Sequence, residues 1–192
     1  VFPLAKKYGG TVVALTLDEN GIPSTAEGRI AIAEKILRRS AEYGIAPKDL
    51  VFDTLCLAVS ADTAAPRQTL AALRHIHEVM GLSTVLGVSN ISFGLPARET
   101  VSAAFLLLAL ENGLSAAILN PCSLEMMKAY RSYLLLHGFD ENCKDYLSFA
   151  SSLPCPSPSA PGAPAPKTET AQAPGETDPL YHAIVKGLKE SA

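Results

Sequence analysis

Residues Leu86–Pro96 read LGVSNISFGLP, and the apolar run that leads into them begins at Thr84. A strand that stays apolar through Val88 and then presents Ser89 and Asn90, ahead of a loop and a helix opening near Arg98, delivers two hydrogen-bonding side chains to the rim of a sheet. Small polar ligands are held at such rims in α/β proteins, because the strand fixes the side chains while the following loop shapes the pocket.

Outward from this stretch the same unit recurs. Thr11–Leu17, Leu50–Leu55, Thr84–Asn90 and Ala116–Asn120 read as strands. Helices over Ala26–Tyr43, Ala65–Met80 and Arg98–Glu111 follow the first three, closed by Gly44, Gly81 and Asn112-Gly113. A last helix starts at Pro121-Cys122-Ser123 and ends near His137-Gly138, and Val1–Tyr8 reads as the end of a helix stopped by Gly9-Gly10. In the first long helix Ile30, Ala33, Leu37 and Ala41 form the expected apolar stripe, with Glu34, Lys35, Arg38, Arg39 and Glu42 in water. In the next, Leu70, Leu73, His77 and Met80 are expected inward.

A strand–helix unit recurring roughly every 35 residues signals parallel β/α architecture with both sheet faces covered. Four units behind a helix remnant fit the second half of a (β/α)8 TIM-type barrel, since a whole barrel takes roughly 250 residues. An open doubly wound sheet is the alternative, although the chain lacks the G-x-G-x-x-G turn of dinucleotide-binding sheets. Asp18, Asp53, Asn90 and Asn120 fall at or near the carboxyl ends of four different strands. In a barrel those ends converge on one face, where active sites are built. Asp18, followed by Glu19-Asn20-Gly21, equally suits a turn.

Composition narrows the partners. The chain has 192 residues, 48% of them hydrophobic, which suffices for a sizeable core. A net charge of −3 and a pI near 5.8 argue against nucleic acid and anionic membrane surfaces. No apolar run approaches the ~20 residues that span a bilayer. The start, VFPLAKK, carries no secretory h-region, and the missing initiator Met leads us to expect a fragment or a processed product. Cys56, Cys122, Cys143 and Cys155 are scattered without metal-ligand or disulfide-framework spacing, so reduced thiols and a cytoplasmic location are expected. His75 and His77 stand two apart on a helix and face different ways, so no shared metal is expected. From Ser151 the composition changes: eight of the fourteen prolines lie between Ser151 and Pro179. We expect a domain over 1–150, an extended, disordered Pro/Ala-rich linker over 151–178, and over 179–192 the first helix of a further, truncated domain, with Asp178 as its N-cap.

The segment GVSNISFGLP (87–96), with Arg98, resembles the pterin-binding barrel of cobalamin-dependent methionine synthase. VVALTLDENG, LVFDTLCLAVSAD, GVSNISFGLPAR and AAILNP fall in that family's order and spacing across Val1–Ala150, and LYHAIVKGLKE (180–190) resembles the approach to a corrinoid module's helical cap. A more distant similarity runs to methyltetrahydrofolate:corrinoid methyltransferases, which share the G-x-S-N core. The resemblance implies 5-methyltetrahydrofolate as substrate and a Co(I) corrinoid (cobalamin), held on a neighbouring corrinoid-binding domain, as methyl acceptor. It implies that Asn90 is catalytic, following the pterin N5 through its change in protonation, because an amide can donate or accept. Asp53 resembles the carboxylate that accepts from the pterin N–H edge. Gly87, Ser89 and Arg98 match positions at the pterin, although Arg98 also suits a helix start. Zinc belongs, in that family, to a homocysteine domain that these residues do not include. Dihydropteroate synthase shares the barrel but would show G-x-S-R-K where this chain has GVSNI. A half-barrel has two unpaired edges, so this stretch alone is expected to be inactive. A non-catalytic folate- or partner-binding module stays open as a reading.

Overall fold

The computed structural model describes residues Val1–Leu153, and the expected linker and final helix lie outside the described residues, save that Ser151 and Ser152 belong to the last described helix. Four apolar runs become strands that pair side by side, all parallel. β1 (Val12–Leu15), β2 (Leu50–Asp53), β3 (Ser83–Gly87) and β4 (Ala116–Ile118) form one sheet in the order β1-β2-β3-β4. Preceding β1 is α1 (Phe2–Tyr8). The crossovers are α2 (Ala26–Glu42), α3 (Ala65–Arg74) and α4 (Arg98–Glu111), while α5 (Leu124–Leu136) and α6 (Lys144–Ser152) follow β4. Among the described residues strand order does not reverse, as it would at the switch point of a doubly wound fold, and the sheet is consistent with part of a TIM-barrel-like one.

Ladder register fixes which residues share a face. Ala14, Phe52 and Thr84 stand in one row, and Leu15, Asp53, Val85 and Ala116 in another on the opposite face. The first face is packed against helices. Ala14, Leu50 and Phe52 meet Ala33 and Ile76, while Leu86 meets Leu73, Phe105, Leu106 and Ala109. Each large side chain so buried stabilises the fold by roughly 1.5–3 kcal/mol. The second face is open over much of its area among the described residues: Val13 is 55% exposed, Leu15 43% and Ile118 64%, whereas Val85 in the middle of it is buried. The expectation of strands covered on both faces is therefore met on one.

Local chemistry explains most element ends. Thr25 caps α2, its Oγ1 accepting from the Gly28 amide at 3.2 Å, and Gly9 closes α1 with φ +69°. Three readings need correction. The buried stripe of α2 is Ala26, Arg29, Ile32, Ala33 and Ser40, with Ala41 exposed. The second long helix is α for only ten residues, and His75–Val79 form a π turn. Ile76, one helical turn after the buried Ala72 and Leu73, is buried, and His77 is exposed. β3 ends at Gly87, and Val88–Ser92 wind into a 3-10 turn, so Ser89 and Asn90 ride on a turn rather than a strand. α6 had no counterpart in the sequence reading.

Gly113 closes α4 at φ +89°, with Leu114 N–H donating to the Ala109 carbonyl at 3.0 Å. A Cβ there would fall 2.4 Å from His77 Cδ2, whereas one on Gly9 would meet nothing. Gly113→Ala is expected to lower the unfolding free energy by about 2–4 kcal/mol, and Gly9→Ala by only about 1 kcal/mol. Urea midpoints at unchanged m-value check the difference.

Candidate functional site

The parallel ladder sets the carboxyl ends of β2, β3 and β4 side by side, and a cavity of about 620 Å³ opens there. Asp53, Cys56, Gly87, Ser89, Asn90 and Asn120 line it, with Ile22, Leu55, Leu57, Ile118 and Leu119 as its apolar wall. Three of the four strand-end polar residues thus share one cavity. Asp18 does not: its Oδ1 accepts from the Asn20 amide at 2.9 Å in a tight turn, as its neighbours suggested.

Asp53 is the last residue of β2, on the open face of the sheet. Its Oδ1 accepts from the Leu55 amide at 2.8 Å, and Leu55 takes a left-handed backbone with φ +61°. Burial raises the Asp53 carboxyl above the usual carboxylate range, and the Leu55 hydrogen bond acts in the opposite direction. Next to it the Cys56 thiol is buried and pushed up to about 12, by desolvation first and by the Asp53 charge second. Such a thiol stays protonated at neutral pH, where the thiolate is the nucleophilic form. Among the described residues no three His, Cys, Asp or Glu side chains cluster to hold a metal ion.

Gly87 and Asn90 are coupled by space. A Cβ on Gly87 would lie 3.0 Å from Asn90 Nδ2, so glycine leaves the room in which the amide sits. Asn90 is exposed. Asn120 is partly committed, its Oδ1 accepting from the Cys122 amide at 3.0 Å.

Arg98 stands elsewhere. It lines an adjoining cavity of about 320 Å³ that shares Ser89 and Asn120 with the first. Its Nε donates to Ser92 Oγ at 3.2 Å and an Nη to the Ser89 carbonyl at 3.1 Å, with the guanidinium 5.7 Å from the Phe93 ring centre. Ser92, read as loop geometry, completes this brace through the Ser89 carbonyl (3.1 Å) and Ser102 Oγ (2.8 Å). Arg98 therefore clamps the turn that carries Ser89 and Asn90.

Arg29 escaped the sequence reading. It is fully buried beneath the β2–α3 turn and donates to the carbonyls of Pro23, Thr54 and Leu55. A signal was present: Ala26, Arg29, Ala33 and Ser40 fall at helical spacing on one stripe, where a lone arginine among small residues is out of place unless it bonds inside.

Strand-end polar groups around one cavity, on a parallel sheet of sequential order, define an α/β ligand-binding rim. The family is that of the pterin-binding enzymes: its model matches residues 1–120, and the chain belongs to it. The chain is 30% identical over 136 residues to a methylcorrinoid:tetrahydrofolate methyltransferase of Eubacterium limosum, covering 70% of this chain and 50% of that protein. It is 31% identical over 155 residues to the methionine synthase of Mycobacterium tuberculosis, covering 74% of this chain and 13% of that one. For the methionine synthase of Mycobacterium leprae the figures are 32% over 125 residues, 61% and 10%. The chain thus spans half the length of the first relative and a small part of the other two.

Burial that raises Asp53 favours its protonated form in the folded state. The associated stability is present below the unfolded carboxyl's pKa and is lost as pH rises through the higher folded value, so at neutral pH the ionised group is a cost. Asp53→Asn keeps an oxygen for the Leu55 amide and removes the charge. Its urea midpoint is expected above the wild type's near pH 7, with the gap closing near pH 4.

Proposed function

We propose that this chain is the folate-binding part of a corrinoid-dependent methyltransferase of the methionine synthase type. It binds 5-methyltetrahydrofolate in the Asp53–Asn90 cavity and presents the N5 methyl to a Co(I) corrinoid on a neighbouring module. The supporting observation is that one cavity gathers a desolvated carboxylate, a glycine that makes room and an exposed amide, on a chain belonging to the pterin-binding enzymes. Asp53 accepts from the N–H edge of the pterin, and a carboxylate short of water forms the stronger hydrogen bond. Gly87 lets backbone and ring approach and seats the Asn90 amide. The bond that breaks joins N5 to the methyl carbon, and its electron pair stays on N5. Asn90 meets that change, accepting from N5 when it carries a proton and donating to its lone pair when it does not. Ser89 forms the wall between the two cavities, and Arg98 acts on the ring through the Ser89 carbonyl it holds. A cobalamin, held by residues other than these, would supply the metal nucleophile that takes the methyl.

In this reading the four β/α units are the second half of the barrel, 179–192 opens the cap of the corrinoid module, and zinc and homocysteine belong to parts beyond these residues. The same site also serves the reverse direction, from methylcorrinoid to tetrahydrofolate. The relative of which this chain covers half favours that second reading, since it bears that name.

Asn90→Ala in the full-length protein is expected to slow single-turnover methyl transfer to cob(I)alamin by about 10²–10³-fold. Folate affinity, by calorimetry, should fall far less. Equal losses in rate and affinity, or a wild type that binds the folate and transfers nothing, would mark a binding module instead.

A further inference from the structure

We infer that Arg29 is a positioning residue for the Asp53 carboxylate: it grips the turn after β2 from below, and that turn's Leu55 amide in turn holds Asp53. The inference rests on the reading of Asp53 as the ring-binding carboxylate only for its consequence in folate binding, and its geometry stands apart.

Arg29 reaches the turn from α2, and none of its surface is exposed. Its Nε donates to the Pro23 carbonyl at 3.0 Å. One Nη donates to the carbonyls of Thr54 at 2.9 Å and Leu55 at 3.1 Å, and to Thr69 Oγ1 at 2.8 Å. The other Nη is buried without a partner among the described residues. Among the described residues no carboxylate accepts from the guanidinium, and burial pushes its pKa down, opposed by Cys56 and Asp62. A buried cation bonded to carbonyls is a poor device for packing, which an apolar side chain does without the desolvation cost. What a planar fork does, and a leucine or lysine does not, is hold several carbonyls in fixed directions at once.

The held segment is the one that needs holding. Leu55 sits at φ +61°, a left-handed backbone that is unfavourable for any residue with a Cβ. Its carbonyl is tied by Arg29 and by Thr69 Oγ1 at 3.2 Å, and its amide is tied to Asp53 Oδ1 at 2.8 Å. Release of the carbonyl lets the residue relax toward ordinary backbone angles, which swings the amide off the carboxylate. The titratable group set against Asp53 is Cys56 on its own turn, and it is Cys56, not Asp53, that feels the Arg29 charge. Its sheet neighbours Leu15 and Val85 are apolar, and Asn90 and Asn120 across the cavity are neutral.

The test is the titration of the Asp53 side-chain carboxyl, followed by carbon NMR in the full-length protein. Arg29→Lys keeps the positive charge and loses the fork. Asp53 is then expected to titrate at higher pH than in wild type, because the Leu55 hydrogen bond to the charged form is weakened. Affinity for 5-methyltetrahydrofolate near neutral pH should drop about tenfold, with its acid limb moved to higher pH. An Asp53 titration unchanged in folded Arg29→Lys overturns the proposal. If that variant does not fold, Thr69→Val, which removes the hydroxyl shared by Arg29 and the Leu55 carbonyl, takes its place. It should shift the titration in the same direction, and no shift there overturns the proposal equally. A wild type that binds no folate, with the Asp53 titration still moved by Arg29→Lys, defeats the folate reading and leaves the positioning role intact.

Discussion

The parallel ladder is the constraint on which everything else rests. Leu15, Asp53, Val85 and Ala116 pair in one row across all four strands, and Gly87 pairs with Ile118 two residues nearer the rim. A parallel ladder fixes both direction and register, so the carboxyl ends of the strands lie on one side by necessity. A single-residue slip of β2 would turn Asp53 to the helix face, among Leu50-type hydrocarbon, and bring Phe52 out into the cavity. Loop residues such as Ser89 and Asn90 inherit their positions from this register, since their turn begins where β3 stops.

The same ladder explains the uneven burial. Helix packing covers one face with two clusters, around Phe52 and around Leu86, and supplies most of the hydrophobic stabilisation. The other face keeps Val13, Leu15 and Ile118 in contact with water among the described residues. β-branched and leucine side chains on the inner face of a barrel strand normally interdigitate with those of other strands. Their type is right for that environment, which is why the sequence reads as continuous strands even where only one face is covered.

Much of this was legible. Apolar runs at even spacing gave four strands, and glycines gave the helix ends, because both signals act locally. The candidate site was legible in its residue types, and the cavity does gather Asp53, Gly87, Ser89, Asn90 and Asn120. What stayed hidden depends on tertiary geometry. The π turn at His75–Val79 has no signature in composition, and His77, expected inward, lies within it and is exposed. Arg29 hides for a related reason: in a helix rich in Glu, Lys and Arg a further arginine reads as solvent-facing, its place on the small-residue stripe is a weak signal, and the partners that hold it inside lie far along the chain. Arg98 has a plausible type for ligand contact, yet its bonds run to Ser89 and Ser92. Residue type conveys what a side chain can bond, and distance alone conveys what it does.

Several locally unfavourable features meet at the ends of β2 and β3. Asp53 carries a carboxyl that burial pushes toward its protonated form, Leu55 has a left-handed backbone, and Arg29 has a buried nitrogen without a partner among the described residues. A left-handed backbone at a residue with a Cβ and a buried donor without a partner each cost of order 1–3 kcal/mol. A fold optimised for stability alone would place Asn at 53 and glycine at 55. The arrangement makes sense if the cavity must be set before its ligand arrives. A carboxylate already partly desolvated and already aimed loses less on meeting an N–H edge, and a protonated thiol beside it offers an apolar wall without competing for the same donor. On that view the strain around Leu55 is tolerated because it keeps one oxygen of Asp53 tied to the turn and leaves the other for the ligand.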